Sequence, residues 1–175
     1  RYLRHIAEFV REGGGLLMIG GSQSFSAGGY YGTELAEVLP VQIGPEGFEE
    51  SMLSFDTFSA RLTAAGQRHP VTALSPDRRE NESIWRSFPF LEGLNLVDAV
   101  KPGAVVLAQH PLLKDLRGDP LPLVVLGHAG RGRSLAVLTD STWRWALPAA
   151  ASGGGARYHQ RFWNNALRWL LADPE

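Results

Sequence analysis

Apolar positions near the start of the chain first follow a helical period and then form one continuous run. Within residues 2–12 they recur at i, i+3, i+4 and i+7, which predicts an amphipathic helix. These positions are Leu3, Ile6, Ala7 and Val10. Glycines at 13–15 end the helix, and the apolar run 16–19 predicts a strand buried on both faces. A helix, a glycine cap, a buried strand and a following glycine loop are typical of a doubly wound α/β sheet.

Three later segments carry comparably clear patterns. Thr33 is a good N-cap for a short helix over residues 34–38. The apolar runs 121–127 and 134–139 are separated by a glycine-rich turn, which predicts a hairpin. Residues 157–171 predict a final amphipathic helix. Its apolar side is marked by Tyr158, Phe162, Ala166, Trp169 and Leu170.

The middle of the chain is less regular. Residues 54–62 alternate loosely between apolar and polar, and the runs 94–97 and 104–109 are short and apolar, so each is expected to form a strand. Residues 75–90 are mostly polar and contain prolines, which predicts a long surface excursion. The aromatic side chains of this segment, including Trp85, either anchor a partner protein or tuck the segment onto the domain.

Composition narrows the class of protein. The chain has 175 residues, 44% hydrophobic and 20% charged, which is ordinary for one globular domain spanning residues 1–175. The formal net charge of −1 gives no reason to expect a nucleic-acid partner. The absence of cysteine excludes disulfides, thiolate catalysis and cysteine-bound zinc. No apolar run reaches the roughly 20 residues that span a bilayer, and no signal peptide is visible.

The glycine loop after the first predicted strand, residues 20–24, is the strongest candidate for a site. Backbone N–H groups at the carboxyl end of a buried strand can form a nest for an anion or for a small ligand's hydroxyl groups. The loop consists of Gly20, Gly21, Ser22, Gln23 and Ser24. From a neighbouring strand end, Asp140, Ser141 and Trp143 are expected to face it. The alternative is a loop that only makes a tight turn and binds nothing.

No metal ion or other cofactor is expected. His69, His110 and His128 lack the His-x-His or His-x-x-x-His spacing of common metal sites. Asp140 and Ser141 offer oxygen ligands, but one carboxylate without a second acid nearby is a poor cation site. We therefore expect Asp140 or Ser141 to cap the short helix that carries Trp143 and Trp145, which would point to different sides. The glycine loop matches neither a P-loop nor a dinucleotide-binding fingerprint.

Several segments together resemble a known family. They are residues 9–30, 39–41, 69–70, 85, 91–95, 102–104, 130–133, 139–145, 161–163 and 169–170. In this order they resemble the glutamine amidotransferase-like domains of large bacterial membrane proteins, a family similar to class I glutamine amidotransferases. The resemblance covers nearly the whole chain, and the run Thr139–Trp145 is its most distinctive part.

The resemblance implies a fold and a context. The implied fold is a flavodoxin-like parallel sheet with helices on both faces. Members of the family begin with one or two strand–helix units before the first helix found here, so the chain is expected to be truncated at its N-terminus. The implied partners are other domains of the same polypeptide or a membrane complex. The implied location is the bacterial inner membrane, through a tether outside residues 1–175.

The resemblance also implies where catalysis would occur. In the enzymes of this class a nucleophilic cysteine sits in a Gly-x-Cys-x-Gly turn, and that position falls here on Gly20 or Gly21. The later His-x-Glu pair is missing as well. We therefore expect no catalytic residues and a non-catalytic module that binds or assembles. Two alternatives remain. One is a hydrolase or amidotransferase remodelled around Ser22, Ser24, Asp140 and His69, and the other is a small-ligand sensor that uses the glycine loop.

Overall fold

A five-stranded sheet is the largest unit of the computed structural model, which describes residues 2–45, 52–115, 117–147 and 155–171. In chain order the helices and strands are α1 (Tyr2–Arg11), β1 (Gly15–Ile19), α2 (Glu34–Val38), β2 (Val41–Gln42), β3 (Leu53–Phe58), β4 (Arg61–Leu62), α3 (Arg78–Ser87), β5 (Leu91–Asn95), β6 (Ala99–Val100), β7 (Val105–Lys114), β8 (Pro120–Ala129), β9 (Gly132–Val137) and α4 (Gly155–Leu170). Two 3₁₀ turns, Pro70–Thr72 and Ser141–Trp145, complete the described elements.

The pairing of the strands is mostly antiparallel. The large sheet has the order β1-β9-β8-β7-β4, and β1 and β9 are its parallel pair in the described part of the chain. The pairs β9–β8, β8–β7 and β7–β4 are antiparallel, as are two small sheets, β2–β6 and β3–β5. The α/β class is therefore confirmed, whereas the predicted parallel arrangement is found only at β1–β9.

A short connection accounts for part of this difference. β8 and β9 are joined by Gly130 and Arg131, and Gly130 adopts a φ of 62° that a tight turn favours. Two residues cannot carry a crossover, because parallel neighbours need a dozen or more residues between them. The sequence predicted this hairpin, whose strands run antiparallel, but predicted a parallel sheet for the domain.

Helices cover both faces of the parallel pair. Gly15 lies against Leu170 of α4, and the Arg133 side chain, next to Gly15 in the register, donates to the Trp169 carbonyl at 2.5 Å. Gly132 precedes Arg133 and so faces the opposite side of the sheet, where it lies against Val10 of α1. The predicted placement of helices on both sides of the sheet is found at this pair.

Elements with strong local patterns were predicted well. α1 buries Ala7 and Val10, as its period indicated, although Ile6 remains exposed. The Thr33 hydroxyl accepts from the Ala36 backbone N–H at 3.4 Å and caps α2 at the predicted residue. α4 buries Phe162, Ala166 and Leu170, in agreement with its predicted apolar side. Local capping and helical spacing were sufficient to locate these elements.

Three predictions in the first half of the chain were wrong. β1 is an edge strand of the described sheet, and Met18 is its one buried residue, so it is not buried on both faces. The region 54–62 divides into β3 and β4, which belong to different sheets. The polar segment 75–90 contains α3, because the Asp77 carboxylate accepts from the Glu80 N–H at 2.8 Å and caps a helix.

An aromatic cluster fixes α3 against α4 and the second 3₁₀ turn. Trp85 contacts Trp145 and Phe162 in edge-to-face geometry, with ring centroids 5.4 and 6.0 Å apart. Phe88 stacks on Trp145 at 4.5 Å. The Trp85 indole also donates to the Thr72 carbonyl at 2.9 Å. Trp85 therefore tucks its segment onto the domain and does not anchor a partner.

One buried histidine, His110, accepts hydrogen bonds from the backbone of its own strand. The His110 Nδ1 atom accepts from the Leu112 and Leu113 N–H groups at 3.1 and 2.8 Å, so the neutral ring carries its proton on Nε2. Burial lowers the pKa of His110, although the nearby Asp56 carboxylate opposes this shift. Protonation of Nδ1 would break both bonds to the strand backbone.

We expect the protein to lose stability as the pH falls from about 6.5, the ordinary histidine pKa, through the lower pKa of the folded state. In this window the unfolded chain binds more protons, and a pKa difference of one between the two states corresponds to about 1.4 kcal/mol. Burial also lowers the pKa of His69 and His159, so they add to the effect. Melting temperatures between pH 7.5 and 5.5 measure it. His110→Asn keeps an acceptor without titrating, and its curve should be flatter; an unchanged slope would refute the role of His110.

Candidate functional site

The glycine loop leaves the carboxyl end of β1 and is held by one buried amide. The Gly20 N–H donates to the Val137 carbonyl at 2.7 Å, which extends the β1–β9 ladder by one residue. The Gly21 N–H donates to Asn95 Oδ1 at 2.7 Å. Asn95 Nδ2 donates in turn to the carbonyls of Gly21 at 3.0 Å and Ser24 at 3.4 Å. Asn95 is 2% exposed, so its side chain acts as an internal bracket for the loop.

The backbone at Gly20 has no room for a side chain. A β-carbon there would lie 2.6 Å from Asn95 Oδ1 and 2.6 Å from the Thr139 backbone nitrogen. Gly21 has a φ of 131°, a conformation that is strained for any other residue. Of the two positions onto which the enzyme nucleophile maps, Gly20 is therefore restricted to glycine by its neighbours and Gly21 by its own backbone conformation.

A cleft of about 350 Å³ opens beside this loop. It is lined by Gly21 and Ser22, by residues 53–55 and 92–95 of the paired strands β3 and β5, and by residues 139–141 and 143–144. The segment 139–144 follows β9, whose carboxyl end lies beside that of β1 in the parallel pair. The cleft thus occupies the place where ligands bind in open α/β sheets, beyond the carboxyl ends of parallel strands.

The structure brings together most of the predicted site residues. Those that line the cleft are Gly21, Ser22, Asp140, Ser141 and Trp143. Gly20, Gln23 and Ser24 are not among the lining residues. Gly20 lies against Asn95 and Thr139, and Ser24 contributes its carbonyl to the Asn95 bracket. These two residues therefore shape the loop and do not face the cleft.

The 3₁₀ turn Ser141–Trp145 divides its two tryptophans as predicted. Trp145 is fully buried, whereas Trp143 is 52% exposed and lines the cleft. The predicted capping role is wrong for Asp140, whose side chain makes no cap hydrogen bond. The Ser141 hydroxyl instead accepts from the Glu92 N–H and pairs with the Thr139 hydroxyl, both at 2.9 Å. The hydrogen bond between Glu92 and Ser141 connects the turn to β5 beside the cleft.

Charges around the cleft are partly neutralised. The Arg144 guanidinium forms an ion pair with Glu92 and lies 5.6 Å from the centroid of the Trp143 ring. No hydrogen bond or ion pair engages the Asp140 carboxylate among the described residues. Its Oδ2 atom lies about 3.5 Å from the point where a Gly21 β-carbon would be. A free carboxylate therefore faces the glycine loop.

Most backbone donors of the loop already have acceptors. The N–H groups of Gly20 and Gly21 are bound as described above, and the Ser24 N–H donates to the Gly21 carbonyl at 3.2 Å. The predicted nest for an anion needs several free N–H groups pointing at one place. Three of the five backbone N–H groups of residues 20–24 already donate to acceptors within the protein, so they are not free to bind an anion.

The cleft residues on β3 and β5 were missed from the sequence, among them Phe55, Glu92 and Asn95. These three residues lie on the paired strands β3 and β5, far from the loop along the chain. For Asn95 the sequence does contain a local indication of a special role, since it is a polar residue between Leu94 and Leu96 in an apolar run. No local sequence pattern indicates that Phe55 belongs to the site, because its position in the cleft depends on the long-range pairing of β3 with β5.

The histidine of the alternative serine-based site lies elsewhere. His69 Nδ1 accepts from the Val71 N–H at 3.2 Å and caps the first 3₁₀ turn. Its ring is 6.3 Å from that of Trp169, which contacts Arg133 beside the first residue of β1. Ser22, in contrast, follows Ile19 at the other end of β1. No histidine lines the cleft in the described chain.

Comparisons with known proteins agree with this architecture. A family model described as a putative glutamine amidotransferase matches residues 1–172. Two solved structures of cytoplasmic proteins from Salmonella typhimurium are similar, one at 27% identity and a TM-score of 0.69, the other at 30% and 0.65. A β-galactosidase from Rahnella shares 15% identity over 21% of its own length at a TM-score of 0.56, which shows a common fold alone. A search of curated proteins gives no significant match.

The chain corresponds to only part of the Salmonella proteins that it resembles. This chain is covered to 96% and 97% by the Salmonella structures but spans only 59% and 60% of their lengths. None of the helices within the described ranges has the length and hydrophobicity needed to cross a bilayer. Likewise, those ranges contain no group of three His, Asp or Glu side chains suited to a metal ion.

Proposed function

This chain belongs to the putative glutamine amidotransferase family, and from that premise we propose that it is a non-catalytic module that binds a ligand in the cleft beside Gly21. The cleft lies where class I enzymes would hold their substrate, since it opens at the turn after β1. In this proposal the chain has an α/β domain of the family without the glutaminase chemistry of class I enzymes.

The crowding at Gly20 is the observation that carries this proposal. Glutamine hydrolysis by this class needs a nucleophilic side chain on the turn, activated by a base. A β-carbon at Gly20 would clash with Asn95 and Thr139, and Gly21 has a backbone that disfavours any side chain. A serine elsewhere in the loop would still need an imidazole, and His69 is at the opposite end of β1. These features favour binding over reaction.

We further propose that the module works inside a longer polypeptide. The chain spans about three fifths of the two Salmonella proteins. β1 is an edge of the described sheet and pairs in parallel with β9. In the full protein, parallel strands added beyond β1 would give the flavodoxin-like arrangement that the family resemblance implies. An attachment to the inner membrane remains a prediction from that resemblance.

Assays of hydrolysis distinguish the non-catalytic module from a remodelled serine enzyme. We expect the purified full-length protein to release no ammonia from glutamine and to hydrolyse p-nitrophenyl acetate no faster than Ser22→Ala and Ser24→Ala variants do. The reason is that neither hydroxyl has an imidazole within hydrogen-bond reach in the described structure. Glutamine turnover that falls at least 100-fold on Ser22→Ala would contradict the proposal and establish the serine-based alternative.

A further inference from the structure

Two exposed aromatic rings face the cleft from different elements. Phe55 on β3 is 62% exposed, and Trp143 on the 3₁₀ turn is 52% exposed. Large apolar groups that remain exposed around one concave surface are typical of a binding site. An aromatic ring presents a flat apolar face, on which the C–H-bearing face of a sugar ring can stack. The aromatic pair therefore points to a ligand with at least one flat, weakly polar face.

The charges of the cleft disfavour an anion. Glu92 and Arg144 neutralise one another, which leaves the Asp140 carboxylate and a local net charge of −1. Asp140 faces the glycine loop, where the predicted anion nest would have been. A phosphate or carboxylate placed there would meet a like charge, and most of the loop's N–H groups are already bound.

A cationic ligand is disfavoured for a different reason. Asp140 and an aromatic ring could together attract an ammonium or guanidinium group. The Arg144 guanidinium, however, already lies 5.6 Å from the Trp143 ring centroid. A second cation on this ring would stand close to the first. The Trp143 ring is therefore less available to a second cation, and a neutral ligand that stacks on this ring is favoured.

The polar groups left free suit hydroxyl groups. The Ser22 hydroxyl, which both donates and accepts, and the Asp140 carboxylate, which accepts, have no hydrogen-bond partner within the described ranges. The cleft volume of about 350 Å³ lies at the lower end of the range for small-ligand pockets, about 300–1,000 Å³. We infer that the cleft binds a neutral saccharide of one or two rings, stacked on Trp143 and hydrogen-bonded to Asp140 and Ser22. This inference rests on the proposed function, since the site must bind without reacting.

Ligand-observed saturation-transfer NMR on the full-length protein tests the inference. The probes are glucose, galactose, N-acetylglucosamine, maltose and lactose, with arginine as the cationic and inorganic phosphate as the anionic comparator. We expect at least one saccharide to bind and neither comparator to do so. Trp143→Ala should weaken that saccharide about tenfold or more, and Trp143→Phe less, because it keeps a ring. Phe90→Ala removes an aromatic ring that is 64% exposed but does not line the cleft, and should leave affinity unchanged.

Other results would overturn the inference in distinguishable ways. Absence of saccharide binding, or binding that is equal in wild type and Trp143→Ala, refutes the saccharide site. Binding of arginine or phosphate in place of every saccharide refutes the ligand class, while a non-catalytic binding module still stands. Hydrolysis of glutamine that depends on Ser22 is a separate result and refutes the proposed function itself.

Discussion

Substitution of Gly20 by cysteine should destabilise the protein by about 3 kcal/mol, the upper end of the usual cost of inserting atoms into a packed site, and should restore no glutaminase activity. The β-carbon would be forced against the Asn95 amide and the Thr139 backbone. Neither neighbour can move freely, because Asn95 is buried and Thr139 continues from β9. Urea denaturation monitored by tryptophan fluorescence measures the loss of stability.

Ser22→Cys is the matched control for this substitution. Ser22 lies two residues further along the same loop and is exposed, so a thiol there meets no obstruction. We expect a change in stability of no more than about 0.5 kcal/mol, as for most surface substitutions. A Gly20→Cys protein as stable as wild type would show that the site can accept a side chain. In that case the steric argument against catalysis would fail.

Removal of the Asn95 amide should cost about 2–3 kcal/mol, since three hydrogen bonds of about 1 kcal/mol each would be lost. In Asn95→Ala, the Gly21 N–H loses its acceptor, and the carbonyls of Gly21 and Ser24 each lose one of their donors. The loop would be free to leave its position against β9. Chemical denaturation gives the free energy of unfolding, and amide exchange at residues 20–24 reports the loss of local order.

Asn164→Ala provides the comparison for this second variant. Asn164 lies on the exposed side of α4 and makes no hydrogen bond to another described residue. Its substitution removes a side-chain amide of the same kind that makes no such hydrogen bonds. The free energy of unfolding is expected to change by no more than about 0.5 kcal/mol. If Asn95→Ala were no more destabilising than Asn164→Ala, Asn95 would not hold the loop, and the cleft would need another explanation.

The sequence predicted the elements whose signals are local. Thr33 identified the start of α2, and the glycine-rich turn near Gly130 identified the β8–β9 hairpin. The direction of most of the sheet was not predicted, because an apolar run such as β8 is compatible with parallel and antiparallel neighbours alike. α3 was missed because its cap, Asp77, stands in a polar and proline-containing segment that resembles a loop.

In the candidate site, too, the residues with local sequence signals were predicted and those positioned by long-range contacts were not. The glycine loop and Asp140 were predicted together because both follow apolar runs whose carboxyl ends can meet at one edge of a sheet. Phe55 and Glu92 could not be added, since their position depends on the long-range pairing of β3 with β5. The crowding at Gly20 was also invisible, because it arises from Asn95, 75 residues further along the chain.

The proposed non-catalytic role rests on two features of the site. Asn95 fills the space below the turn that a nucleophile's side chain would need, and its amide holds the glycine loop in place. Above the loop, Asp140 and Trp143 face an open cleft that is wide enough for a small ligand. Our proposal thus has two separate parts, the absence of a nucleophile at the turn and ligand binding in the cleft, and each can be tested alone.

The most direct test of a non-catalytic cleft is the intact mass of the full-length protein after incubation with a diazoketone analogue of glutamine. Such a reagent alkylates a nucleophile that is seated in a glutamine site. We predict an unmodified mass at reagent concentrations that fully label a class I amidotransferase in parallel. A single stoichiometric adduct on Ser22, Ser24 or another residue of the cleft would contradict the central claim and identify a working nucleophile.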